Sequence, residues 1–271
     1  MITEDGTPAI TGETRLFIFL GHPIAQARSP QLINPMFRDR GVDAVMVAID
    51  VAPKDLDAAI AGFKVMANVD GIVVTVPHKA AVVPHVDVPR TTAKAVGALN
   101  VMRREADGRW TGDMLDGMGF VAGMRKRGHA PEGRSILLLG AGGAGAAVAH
   151  ALAGSGIRRI SIFDVDNGRA RRLVERLREL HGTVEAEIAA PVPNGHDTIV
   201  NATPLGMKAS DPMPMDTKLL TPDHLVVDVI MKPPVTPFLV EAKRLGCRVH
   251  EGAHMLDGQI GEFVRFFIDR A

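Results

Sequence analysis

Gly140, Gly142 and Gly145 lie in the run ILLLGAGGAGAAVA (136–149), spaced G-x-G-x-x-G. That spacing, between an apolar run and small residues at helical spacing, is what a dinucleotide's pyrophosphate needs. Gly140 permits the tight turn, Gly142 lets the backbone approach the phosphates, and Gly145 lets a helix pack closely on the preceding strand. Ala141, Gly143 and Ala144 complete the cradle. The N–H groups of a helix's first turn are unpaired and carry partial positive charge toward a phosphate. About 20 residues on, an acid is expected at the ribose hydroxyls, and SIFDVD supplies Asp164 there. A carboxylate accepts from both hydroxyls and repels a 2′-phosphate, and the next residue is Val165, not a cation. NAD is therefore expected in preference to NADP. Arg169 is the remaining phosphate-side cation, and Asp166 is better placed than Asp164 to cap the next helix.

For the cradle to form, Ile136 to Leu139 must be a buried parallel strand, as its wholly apolar content indicates. Beyond it the pattern predicts strands at 159–163, 186–188, 198–201, 225–229 and 248–250, and helices near 167–181, 236–245 and 258–268. Before it, strands at 14–20, 44–49 and 71–76 alternate with helices at 29–40, 55–66 and 91–96. Ser29 and Pro30 open the first of these helices as an expected N-cap and first-turn proline. A hairpin begins at Leu99 to Arg103 and returns through Trp110, and a helix follows from Asp116 to Arg127. Such alternation argues for an α/β protein: an N-terminal domain with a mainly parallel sheet, then a Rossmann-like dinucleotide-binding domain. The second strand–helix run starts afresh after Asp116, which sets the seam.

The 271 residues suffice for two modest domains. Lys+Arg and Asp+Glu both number 31, so charge gives no support for a nucleic-acid or anionic-membrane partner. No apolar run approaches the roughly 18 residues needed to span a bilayer. The polar start MITEDGTPAITGETR does not read as a secretory signal, and its first dozen residues are expected to be a poorly ordered tail. The single cysteine, Cys247, excludes an internal disulfide and fits a reducing cytoplasm, where it is expected to be a small buried side chain. No His, Asp or Glu cluster has metal-ligand spacing, so no metal is expected.

Seven further segments stand in order along the chain: GHPIAQARSPQLIN (21–34), GIVVTVPHK (71–79), GALN (97–100), MLDGMGF (114–120), NATPLGM (201–207), DVIMKPPVTPFL (228–239) and GAHMLDGQIGEF (252–263). Together they resemble the shikimate/quinate dehydrogenase family over nearly the whole length. The resemblance implies a small-molecule ring acid as substrate, whose secondary alcohol is oxidised reversibly to a ketone: shikimate, quinate or a related cyclic polyol acid. It also implies Lys79 and Asp116 as the catalytic pair, and Ser29, Thr75, Asn100 and Gln259 as substrate-binding residues. On the cofactor side it adds Asn201, Thr203 and Gly252. A lysine can take the alcohol proton if its surroundings favour the neutral amine, while a carboxylate accepts a hydrogen bond from the same substrate. The implied division is 1–116 with 253–271 as substrate domain and 117–252 as dinucleotide domain, in a monomer or homodimer. His22, His78 and His254 lie near these motifs without filling a catalytic place and read as rim or packing residues.

Three family positions are apolar here. Ala27 replaces the first serine of the carboxylate grip, Met231 its tyrosine, and Val73 the asparagine of the N-V-T motif. Each hydrogen bond lost to a charged group costs roughly 1.5–3 kcal/mol, so two such losses weaken binding by about two to four powers of ten unless another donor, such as Arg28, compensates. The expectation is a divergent member. The alternatives are a non-catalytic NAD-binding regulatory homologue and an aminoshikimate-type dehydrogenase.

Overall fold

The computed structural model describes residues 10–25 and 27–269. All but the last three residues of the expected N-terminal tail lie outside the described residues. The chain divides into two compact units, Met1–Leu115 with Ile260–Ala271, and Asp116–Gln259.

The first unit contains β1 (Arg15–Gly21), α1 (Ser29–Asp39), β2 (Ala44–Asp50), α2 (Leu56–Val65), β3 (Val69–Val74), β4 (Val88–Pro89), α3 (Thr91–Val96), β5 (Val101–Arg104) and β6 (Trp110–Asp113). Its sheet has the order β2-β1-β3-β5-β6-β4. The pairs β1–β2, β1–β3 and β4–β6 are parallel, whereas β3–β5 and β5–β6 are antiparallel, the second of these as the two arms of a hairpin. Ile18, Leu20, Ile60, Ile72, Leu99, Met102 and Trp110 form one buried cluster. Ser29 is not the N-cap of α1. The cap is Arg28, already in the helical region at φ −108° and ψ −16°, and it makes no side-chain capping bond, so Ser29 is the first helical residue and buried.

The second unit contains α4 (Asp116–Lys126), β7 (Ser135–Leu139), α5 (Gly143–Gly154), β8 (Arg159–Phe163), α6 (Asn167–Leu180), β9 (Glu185–Ile188), β10 (Thr198–Asn201), β11 (Leu225–Asp228), α7 (Pro237–Arg244), β12 (Arg248–His250) and the start of α8 (Ala253–Ile268). The sheet is parallel throughout, in the order β12-β11-β10-β7-β8-β9. Every residue of β7 is buried, and each of its leucine side chains is worth about 1.5–3 kcal/mol of transfer free energy. Helix α6 is amphipathic, burying Ala170, Leu173, Val174 and Leu177. Cys247 is buried, its thiol donating to Thr221 O at 3.1 Å.

Helix α8 crosses the boundary between the units instead of belonging wholly to the first. Its first half packs on α4 through glycines. A Cβ on Gly119 would stand 2.7 Å from both Gln259 Cβ and Met255 O, and one on Gly123 or Gly258 would overlap the backbone of His254 or Gly119. Its second half is held in the first unit by Arg103, which donates to Phe266 O and Asp269 O. No helix among the described residues is long and apolar enough to cross a membrane.

Candidate active site

In the first unit the candidate residues gather where parallel strands end. The turn after β3 is tied to its neighbours by backbone bonds: Thr75 N–H donates to Leu20 O at 2.8 Å, His22 N–H to Val76 O at 3.1 Å, and Leu99 N–H to Lys79 O at 2.8 Å. His78 is buried, its ring Nε2 donating to Val51 O at 2.7 Å. Its predicted packing role is thus visible, and Lys79 is anchored on both sides while remaining half-buried itself. Thr75 is half-buried on the same turn. Asn100 is buried, its backbone bridging Val74 and Asp113 and its Oδ1 accepting from Leu115 N–H at 2.8 Å. Val73 lies within β3, paired with Phe19 and Val101 and buried. The side chain replacing the family's asparagine is therefore part of the sheet interior.

In the second unit Asp116 opens α4 and is buried. Gln259, also buried, donates from Nε2 to Asp116 Oδ1 at 2.8 Å. This is a fixed carboxylate–amide pair, the chemistry by which hydroxyl groups are recognised.

The glycine run forms its turn between β7 and α5. Gly140 has φ +99°, a region favouring glycine, and a Cβ there would meet Ala202 C at 2.9 Å. A Cβ on Gly145 would overlap Gly140 O. Those on Gly142 and Gly143 would meet nothing within 4 Å, so the backbone is open to an approaching group at the N-terminus of α5. This open cradle of glycine backbone at a helix N-terminus fits a dinucleotide pyrophosphate. Ala141 and Ala144 are half-buried beside it.

Asp164 braces the glycine turn. It is buried, and both its oxygens serve its own unit: Oδ2 accepts from Ala141 N–H at 2.7 Å and Oδ1 from Asp166 N–H at 2.8 Å. The acid pins the glycine turn. Asp166 caps α6, accepting from Gly168 and Arg169 N–H, while Arg169 Nε lies 3.4 Å from the Asp166 carboxylate.

The loops after β10 and β11 hold a buried polar network that sequence reasoning missed. Asn201 Nδ2 donates to Leu205 O and to Asp228 Oδ2, both at 3.1 Å, and its Oδ1 accepts from Thr203 N–H at 3.1 Å and Thr203 Oγ1 at 2.6 Å. Its side-chain hydrogen-bonding capacity is spent on shaping the loop. Asp228 also accepts from Thr236 Oγ1 at 2.7 Å and Ile230 N–H at 2.9 Å, and burial pushes its carboxyl above the ordinary range. Gly252 is buried against the backbone of Val229 and Ile230, and Met231 is exposed. The signal in the sequence was the alternation of Asn, Thr and Asp just beyond apolar strands, where buried polar groups must pair.

Residues 19–102 match the model of the shikimate dehydrogenase substrate binding domain. The shikimate dehydrogenase (NADP(+)) of Rubrobacter xylanophilus is 41% identical over 240 residues, covering 88% of this chain and 84% of that protein. The shikimate dehydrogenase (NADP(+)) of Rhodospirillum rubrum is 35% identical over 257 residues, 91% of this chain and 89% of that protein. The crystal structure of shikimate dehydrogenase from Aquifex aeolicus superposes with a TM-score of 0.86 at 32% identity, covering 97% of this chain and 95% of that one. The names of these sequence relatives overturn the expectation of NAD in preference to NADP, which rested on Asp164 being displayed to a ribose. In the structure both carboxylate oxygens accept backbone N–H groups, of Ala141 and of Asp166. From identity across most of its length and the shared architecture of both units, the chain belongs to the shikimate dehydrogenase family.

Proposed function

We propose that this protein is an NADP(H)-linked shikimate dehydrogenase, interconverting the ring secondary alcohol of shikimate and the corresponding ketone. The observation that carries the reading is the buried hydrogen bond from Gln259 to Asp116. A carboxylate and an amide held rigidly together suit a polyol, where donors and acceptors alternate. NADP+, when bound, supplies the hydride acceptor.

The chain's own residues divide the remaining work. Gly142, Gly143 and the first turn of α5 hold the pyrophosphate, and the Asn201–Thr203–Asp228 network keeps the adjoining loop in shape. Asp116 and Gln259 orient substrate hydroxyls, with Asn100, Thr75 and Ser29 as further polar contacts. Lys79 accepts the hydroxyl proton and returns it in the reverse direction. Ala27 and Met231 leave the acid group of the substrate with fewer donors than the family pattern supplies.

The test is steady-state oxidation of shikimate, quinate and aminoshikimate with NADP+, following NADPH. The reading expects the highest kcat/KM with shikimate. Dinucleotide binding without turnover of any ring acid would instead support the non-catalytic homologue.

A further inference from the structure

We infer that His22 and Asp50 form a carboxylate-recognising dyad in the first unit, with His22 Nε2 as the atom that meets the acid group of the substrate. The inference rests on the shikimate reading above, which supplies the anionic ring acid.

Strands β1, β2 and β3 are mutually parallel, and ligands of α/β sheets bind outside the carboxyl ends of such strands. Gly21 is in register with Asp50 at the end of the β1–β2 pair, and Leu20 with Val74 at the end of the β1–β3 pair. His22, Asp50 and Thr75 therefore share one sheet edge. His22 is fixed there twice, its backbone N–H donating to Val76 O at 3.1 Å and its ring Nδ1 lying 2.7 Å from Asp50 Oδ1. The other oxygen of Asp50 accepts from Ile24 N–H at 3.4 Å, which fixes the carboxylate in turn. With Nδ1–H donated to a carboxylate, Nε2 is the outward atom, and on protonation it becomes a charged donor.

The two side chains are 45% and 47% exposed, so the pair is open to a ligand, and a contact this exposed adds little to the fold itself. The neighbouring segment explains the need. Ala27 stands where the family pattern has a hydroxyl. When both ring nitrogens carry a proton, the oriented ring offers the acid group a charge-assisted donor in place of neutral hydroxyls.

The experiment compares shikimate with its uncharged methyl ester on the wild type and on His22→Ala, His22→Gln, Asp50→Asn and Arg28→Ala. It adds an NMR titration of the His22 ring nitrogens with each compound. His22→Ala is expected to raise the KM for shikimate about tenfold, with kcat little changed and the KM for the ester unmoved. His22→Gln recovers part of the loss, Asp50→Asn shows a smaller acid-selective rise, and Arg28→Ala shows none. The His22 Nε2 resonance moves on addition of shikimate and stays in place with the ester. An unchanged KM for shikimate in His22→Ala, an equal rise for acid and ester, or an acid-selective loss confined to Arg28→Ala overturns the inference. A wild type that fails to oxidise shikimate removes the functional reading; the NMR titration then decides the dyad alone, a shift upholding it and a silent ring overturning it.

Discussion

Gln259 Nε2 donates to Asp116 Oδ1 at 2.8 Å between two buried side chains 143 residues apart in the chain. The bond exists because α4 and α8 approach more closely than side chains normally permit, through Gly119, Gly123 and Gly258. Gly119→Ala sets a methyl 2.7 Å from Gln259 Cβ and Met255 O. The expected outcome is a loss of about 1–3 kcal/mol in urea unfolding. The fall in kcat/KM should exceed what the unfolded fraction explains, because Gln259 is displaced from Asp116. Activity falling only in proportion to folded protein would contradict it.

Gly142→Ala separates cradle from fold. Gly142 has φ −72° and ψ −173°, a conformation open to any residue, and a Cβ there meets nothing within 4 Å. Thermal unfolding of the free protein should be unchanged, while NADP+ affinity measured by calorimetry drops. Unchanged affinity would place the pyrophosphate elsewhere.

Asp164→Ala leaves the N–H groups of Ala141 and Asp166 without their acceptor. A cost of about 1–3 kcal/mol in stability follows for each group left unpaired. Because the carboxylate braces the turn, the Kd values of NAD+ and NADP+ should rise by the same factor. A swing in their ratio would show the carboxylate reading the ribose directly.

His250 sets an acid limit on stability. Among the described residues neither ring nitrogen has a hydrogen-bond partner, and the ring packs against His129 and His254 at centroid distances of 5.5 and 4.9 Å. Burial, followed by the neighbouring His254, His129 and Arg127, lowers its pKa to about 3. The unfolded chain takes up the proton near pH 6.5 while the folded one resists it. Stability is therefore fully present above pH 6.5 and declines as pH falls toward 3, by about 1.4 kcal/mol per unit. His250→Leu should flatten that limb in urea titrations at successive pH values, and an unaltered limb would exonerate His250.

Much of the fold was legible because apolar runs end at clear breaks. Strands 159–163, 198–201 and 248–250 and the helix 91–96 occur with the bounds that their patterns imply. Strand β3 begins and ends two residues earlier than expected, since Val76 is taken up in the turn before Pro77 and is exposed. The glycine turn was readable, but the direction in which Asp164 points was not. That depends on where two backbone N–H groups lie, and one of them is 23 residues away. In the same way the position of Asn201 was readable, but its hydrogen bonds to Leu205, Thr203 and Asp228 were not. The glycines of α4 and α8 carried no local signal, because their meaning lies in a helix crossing that only the folded chain creates.

The most direct measurement is kcat for shikimate oxidation by NADP+ in Lys79→Ala, with NADP+ affinity measured on the same preparation. If Lys79 handles the alcohol proton, kcat falls by about 10²–10⁴ while NADP+ binds as in the wild type. A variant that keeps the wild-type kcat would contradict the account.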